Sequence, residues 1–216
     1  MTRIIYNKYE KGQISTLPIA EFNGRIVVVL NESEARRAVD YLLSRDILGI
    51  DTETRPSFKR GHQYKVALLQ VAAEDICFLF RLNYTGLTPA IVRLLEDNSV
   101  PKIGLSLHDD LNSLHKLGQF APGYFVDIQN HIKEVGIEDL SLQKIYANLF
   151  GQKISKRQQL SNWEADILNE KQKLYAATDA WACIKIYNEL IWLKQEGNYE
   201  LVKIEQHDET NLSEKG

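Results

Sequence analysis

Hydrophobic and polar positions along the chain follow two periods, and the switches between them mark the elements. Residues 25–30, RIVVVL, form a β-branched run that predicts a strand. Asn31 follows with Glu34 three positions on, the pattern of a capping box, and opens a helix that runs to Leu43. A second short strand covers 47–51, after which Pro56 and Gly61 mark a polar loop. Two apolar runs, 66–72 and 76–80, flank Ala73-Glu74-Asp75 and read as a hairpin. A helix over 89–96, a strand over 102–105 and a helix over 108–117 follow, then a strand or extended segment at 124–128. The remainder reads as helical and ends in a long pattern over 172–193. A hairpin inside an otherwise alternating chain predicts a mixed sheet with helices packed on it, the α/β class. Residues 1–20 read as an N-terminal arm, 21–200 as the folded domain, and 201–216 as a polar tail that frays from Glu205.

Composition narrows the function classes. The chain has 216 residues, 44% hydrophobic and 25% charged, which suits one domain with a sizeable core and excludes a mostly disordered chain. Lys and Arg number 26 against 29 Asp and Glu, for a net charge of −3. A protein that holds nucleic acid by bulk charge is strongly basic, so any such binding here is local. The two cysteines, Cys77 and Cys183, lie in apolar stretches. They read as buried small hydrophobes in a reducing compartment, and two cysteines cannot build a zinc ribbon. The N-terminus has no signal-peptide run, and the longest apolar run, 26–30, is far too short to span a bilayer. The expectation is a soluble cytoplasmic protein that makes no membrane contact.

Chemistry enters where carboxylates stand among apolar residues. In 47–54, ILGIDTET, Asp51 and Glu53 alternate onto one strand face, where like charges repel unless a cation lies between them. Asp-x-Glu by itself is a weak signal whose ordinary meaning is a solvated strand end. In 174–181, LYAATDAW, helical spacing stacks Tyr175 one turn from Asp179, on a stripe continued by Ala182, Ile186 and Leu190. Asp179 is therefore expected to be buried, and a buried carboxylate needs a cation, donors or a metal. The residues alone leave a backbone-satisfied Asp and a functional one equally open. In 100–111, VPKIGLSLHDDL, Asp109 reads as a helix cap, and Asp110 is placed to turn toward the sheet end that carries Asp51 and Glu53.

Taken in order, Asp-x-Glu, Asp and Tyr-x-x-x-Asp resemble the DEDD superfamily of 3′–5′ exonucleases in its tyrosine subgroup. The histidine subgroup places a His five positions before the last Asp, where this chain has Leu174. The stretches GIDTE at 49–53, Arg60-Gly61, KVALLQ at 65–70, SNW at 161–163 and QKLYAATDA at 172–180 resemble Werner-type exonuclease domains. Ribonuclease D resembles the broader pattern, including Asp127. The likeness spans about 24–193 and implies a ribonuclease H-like fold, a five-stranded mixed sheet with one antiparallel strand and helices on both sides.

The resemblance also implies roles. Asp51, Glu53 and Asp179 would hold one divalent ion, Mg²⁺ or Mn²⁺, with Asp51 bridging to a second ion supported by Asp110. Tyr175 would orient the attacking water, and the products would be nucleoside 5′-monophosphates. The candidate substrate contacts are Thr52, Arg60, Lys65, Lys156 and Arg157. Arg60 and Lys65 share a basic cluster with Arg55 and Lys59, and Lys156 and Arg157 share another with Lys153. Asp127 reads as a turn or supporting residue, and Trp163 and Trp181 as core. His62, His108 and His115 share no zinc-ligand spacing. Little sequence follows the last helix, so DNA is expected as substrate ahead of RNA trimming of the ribonuclease D type, with a helicase or repair protein as a separate partner. The competing class is a catalytically silent binding module, against which stand the retained acids and tyrosine.

Overall fold

The structure is a computed structural model and describes residues 2–204; the part of the expected tail from Glu205 onward lies outside them. In chain order the elements are β1 (Arg3–Tyr6), α1 (Lys11–Ile14), β2 (Arg25–Val29), α2 (Glu32–Leu42), β3 (Leu48–Thr54), β4 (Val66–Ala72), β5 (Ile76–Arg81) and α3 (Leu82–Thr85). They continue with α4 (Pro89–Glu96), β6 (Lys102–Gly104), α5 (Leu107–His115), β7 (Phe125–Asp127), α6 (Ile128–Glu134), α7 (Leu142–Phe150), α8 (Glu170–Glu196) and β8 (Tyr199–Val202).

The main sheet runs β2-β5-β4-β3-β6-β7, with β4 antiparallel to both neighbours and every other pairing parallel. The α/β class and the single antiparallel strand are as expected, but the sheet has six strands where five were expected. The sixth is β7, which pairs with β6 through Lys102↔Phe125, Ile103↔Val126 and Gly104↔Asp127. Three residues carry too little alternation to separate a strand from an extended segment, so the neighbouring strand decides.

Helix α2 opens as its cap predicts, with the Asn31 side chain accepting from the Glu34 amide at 3.0 Å. The Glu34 carboxylate, however, reaches one residue further and accepts from the Leu30 amide at 2.8 Å. Helices α2, α4 and α5 bury Ala35, Val39, Leu42, Leu94 and Leu114 against one face of the sheet. Helices α6, α7 and α8 cover the other. Burying both faces is what the uninterrupted apolar runs of β4 and β5 require.

One expectation is corrected. The segment 151–169 is irregular, not helical: Gly151, at φ +61°, ends α7, and α8 opens on a capping box between Asn169 and Gln172. Leu160, Trp163 and Ile167 fall at helical spacing, yet only Trp163 is buried. Side chains hold this backbone instead. The buried Arg81 donates to the carbonyls of Ala165 and Asp166, and the Gln172 amide donates to the Asn162 carbonyl and the Ser161 hydroxyl at 3.1 Å each. The first twenty residues are also tied down: β1 pairs in parallel with β8, and the Ala20 amide donates to the Lys153 carbonyl at 2.9 Å. Strand β8 itself crosses the boundary drawn at 200/201. Among the described residues no helix is long and apolar enough to cross a membrane.

One close approach sets the site. Helix α8 lies on β3 so tightly that a Cβ on Gly49 would stand 1.9 Å from the Ala180 carbonyl oxygen. Gly49, Asp51 and Glu53 share a strand face, and Asp179 directly precedes Ala180, so this contact brings the helix acid to the strand acids. Gly49→Ala is expected to cost about 3 kcal/mol, because two backbones must part. Thermal melting checks the loss, and a melting temperature unchanged from wild type would show that α8 is not seated this way.

Candidate active site

Strand β3 carries Asp51 and Glu53 at its C-terminal end, and α8 brings Tyr175 and Asp179 across them. Carboxylate oxygens of Asp51, Glu53 and Asp179 lie within 4.8 Å of one another, and among the described residues this is the single such group of metal-ligating side chains. Asp110 enters from the first turn of α5 and lies outside that group and outside the cleft lining; its carboxylate accepts from the Thr52 hydroxyl, near enough for its charge to raise the Asp51 and Glu53 carboxyls. The cleft has a volume of about 400 Å³, with Leu105, Leu140, Gln143, Lys156, Gln159 and Cys183 also in its walls.

Among the described residues Lys156 is the single cation in the lining of this cleft, too little to balance the acids. Asp179 is buried with Oδ1 unpartnered, and Asp51 accepts only from the Thr52 amide at 2.9 Å and the Gln70 amide at 3.4 Å. Burial, reinforced by the charges of Asp110 and Asp179, raises the Asp51 carboxyl well above its ordinary range. Burial and then the Asp51 charge push Glu53 up to about 10. Burial pushes Asp179 up to about 7 against the opposing pull of the Tyr175 hydroxyl and Lys156, and Asp110 up to about 6 against the pull of Thr52. A cluster of hard oxygen donors with a buried orphan oxygen fits a divalent cation, which would stabilise all of the ionised forms at once.

These shifts carry a sign for stability. Carboxyls of an unfolded chain titrate near 4, so above that pH the metal-free folded chain binds more protons than the unfolded one and loses stability as pH rises. In chelator the melting temperature is expected to fall from about pH 5 to about pH 8, as Asp110 and Asp179 are forced to ionise. Added Mg²⁺ or Mn²⁺ should restore it by an increment that grows with pH. A melting temperature that instead rises through this window in chelator would show that the acids do not share one buried site.

Tyr175 is half-buried, its ring packed 5.9 Å from that of the fully buried Trp163. Burial and the neighbouring acid charges raise its phenol well above the ordinary value, so the hydroxyl keeps its proton. Thr52 links Asp110 to the strand. Lys156 lines the acid cleft, whereas Arg157 lines an adjoining cavity of about 430 Å³ beyond Tyr175. Arg60 and Lys65 are exposed on the loop after β3 and do not line the acid cleft. In that cluster Arg55 pairs with Glu164 at 3.3 Å. His62, His108 and His115 make their contacts elsewhere: His62 meets Tyr64, His108 bonds Asn112, and His115 stacks on Phe120. Cys77 and Cys183 are both buried and free.

Gln70 has no role in the sequence reading beyond its place in a motif. It lies opposite Asp51 in the β3–β4 register and is fully buried, the one polar residue of VALLQVA. A lone amide in an otherwise apolar central strand was the available signal, because a buried polar group needs a partner.

Residues 26–193 match a family described as 3′–5′ exonuclease. The chain is 32% identical over 184 residues to the bifunctional 3′–5′ exonuclease/ATP-dependent helicase WRN of Mus musculus, covering 81% of this chain but 13% of the mouse protein. It is 30% identical over 199 residues to a 3′–5′ exonuclease of Arabidopsis thaliana, covering 80% of this chain and 66% of the plant protein. Ribonuclease D of Escherichia coli, described as an exoribonuclease involved in structured RNA processing, superposes with a TM-score of 0.69 at 18% identity over 81% of this chain and 46% of its own. That likeness confirms the ribonuclease H-like arrangement of the sheet. On the strength of the match across most of its length, the chain belongs to the 3′–5′ exonuclease family of the DEDD type.

Proposed function

We propose that this chain removes nucleoside 5′-monophosphates one at a time from the 3′ end of DNA, using two divalent ions, Mg²⁺ or Mn²⁺. The observation that carries the reading is the convergence of Asp51, Glu53 and Asp179 on one cleft, within reach of the Asp110 charge and with Lys156 the single cation of the lining among the described residues. Asp51, Glu53 and Asp179 would hold one ion, and Asp51 with Asp110 the other. Two divalent ions balance four carboxylates and supply the positive charge that stabilises the attacking and leaving oxygens of an in-line displacement.

The chain's own residues do the rest. Tyr175, protonated and fixed against Trp163, orients the water for attack through its hydroxyl. Lys156 meets a phosphate oxygen at the mouth of the cleft, and Arg157 contacts the backbone further out. Arg60 and Lys65, set away from the acids, act on the strand before it enters. DNA is proposed as the substrate on the similarity to the mouse relative, whose name also joins exonuclease to helicase. A helicase or repair protein that exposes 3′ ends is the fitting partner.

Digestion of 3′- and 5′-labelled DNA and RNA oligonucleotides, with Mg²⁺, Mn²⁺ or chelator, tests the reading. Stepwise shortening of DNA from the 3′ end, with monophosphate products and none in chelator, is the expected result. Higher kcat/KM on RNA would make the chain a trimming exoribonuclease. Full activity in chelator would remove the metal mechanism, and binding of both oligonucleotides without cleavage would leave a silent module.

A further inference from the structure

The turn between β6 and α5 lies outside the acid cluster and is held by hydrogen bonds of its own. The chain leaves the sheet at Gly104 and enters a helix at Leu107, with two residues to change direction. Ser106 makes that turn at φ +62°, ψ +38°, and among the described residues no other non-glycine has a positive φ. A left-handed serine is unfavourable and persists only where its surroundings over-determine it. Its hydroxyl makes no capping bond to the helix, which would leave the first amides of α5 orphaned.

Asp127 supplies what is missing. It stands opposite Gly104 in the β6–β7 register. One carboxylate oxygen accepts from the Ser106 amide at 3.1 Å and the Gln129 amide at 2.9 Å, and the other accepts from the Leu107 amide at 2.9 Å. The Gln129 side chain closes the ring by donating to the Ser106 hydroxyl. Leu107 folds back over Gly104, where a Cβ would stand 2.3 Å from its methyl carbon. Asp110 lies three positions after Leu107 and therefore on the same side of the helix, where its carboxylate meets Thr52.

We propose that Asp127 is a positioning residue for Asp110: its two oxygens hold the Ser106–Leu107 turn so that α5 presents Asp110 to Thr52, beside the strand acids. An amide could not replace it. Asparagine offers one accepting oxygen and would set its NH₂ against the Leu107 N–H. Charge is not the purpose, because the Asp127 charge works against ionisation of Asp110.

The inference rests on the two-ion reading of the site, and Mn²⁺ titration by calorimetry and electron paramagnetic resonance separates the two. The proteins compared are wild type, Asp127→Ala, Asp110→Asn and the double variant, each in its full chain. Asp127→Ala is expected to weaken one of two Mn²⁺ ions about tenfold and leave the other within about twofold. In the Asp110→Asn background it should add less than about twofold, since the residue it positions is already disabled. Equal weakening of both ions, no weakening, or full additivity in the double variant would overturn the proposal. If Asp127→Ala does not fold, Asp127→Asn takes its place, and adding Ser106→Gly, which removes the left-handed penalty, should bring the second ion back to within about threefold. Failure of that rescue counts against the proposal equally. A wild-type protein that takes up one Mn²⁺ per chain would overturn the two-ion reading first, and the proposal with it.

Discussion

Asp51→Asn is expected to lower single-turnover cleavage of a 3′-terminal phosphodiester by about a thousandfold or more, a loss of about 4 kcal/mol of transition-state stabilisation. The substitution keeps the shape, and its NH₂ can meet Gln70 once that side chain turns its unpartnered oxygen toward it, but it removes the charge that would hold two ions. The same charge is a burden to the metal-free fold, since burial and repulsion from Asp110 and Asp179 disfavour it. Asp51→Asn should therefore melt higher than wild type in chelator at neutral pH and lose most of the stabilisation that added metal gives wild type. Cleavage at the wild-type rate would place the catalytic centre elsewhere. A lower melting temperature in chelator would show that Asp51 is a structural carboxylate whose charge the fold uses.

Tyr175→Phe and Asp179→Asn should part ways although they lie one helical turn apart. Phenylalanine retains the packing on Trp163 and removes only the hydroxyl, so metal binding should survive while the rate falls by roughly ten- to a thousandfold. Asp179→Asn removes a buried ligand and should lose metal affinity together with rate. Metal titration by calorimetry beside single-turnover kinetics distinguishes them. Equal loss of metal affinity in both variants would make Tyr175 a support for the site, outside the chemistry. A wild-type rate in Tyr175→Phe would leave the tyrosine with no catalytic part.

The acids on β3 and α8 were legible because their signal is local. Asp51 and Glu53 follow a period of two and Tyr175 and Asp179 a period of four, so each pair shares a face whatever the element packs against. The burial of Asp179 could likewise be read from the apolar stripe around it. Basic residues were harder to place. Arg60 and Lys65 are close in sequence to Asp51, but the loop after β3 carries them away from the cleft, while Lys156 reaches it through the irregular segment before α8. That segment defeated the pattern because Leu160 and Ile167 hold helical spacing without being buried, and its shape is kept by Arg81 and Gln172 from other parts of the chain.

By itself the sequence determined the α/β class, the hairpin that makes β4 antiparallel, and the faces on which the catalytic candidates lie. Periodicity contains that information, since it reports the direction of a side chain relative to its own element. Only the tertiary structure decided that these faces meet. The approach of Ala180 to Gly49 sets the register of α8 on β3. The pairing of β7 with β6 adds the sixth strand and brings Asp127 to the turn before Asp110. Such contacts join residues far apart in sequence through backbone geometry and single hydrogen bonds, which leave no periodic trace in the chain.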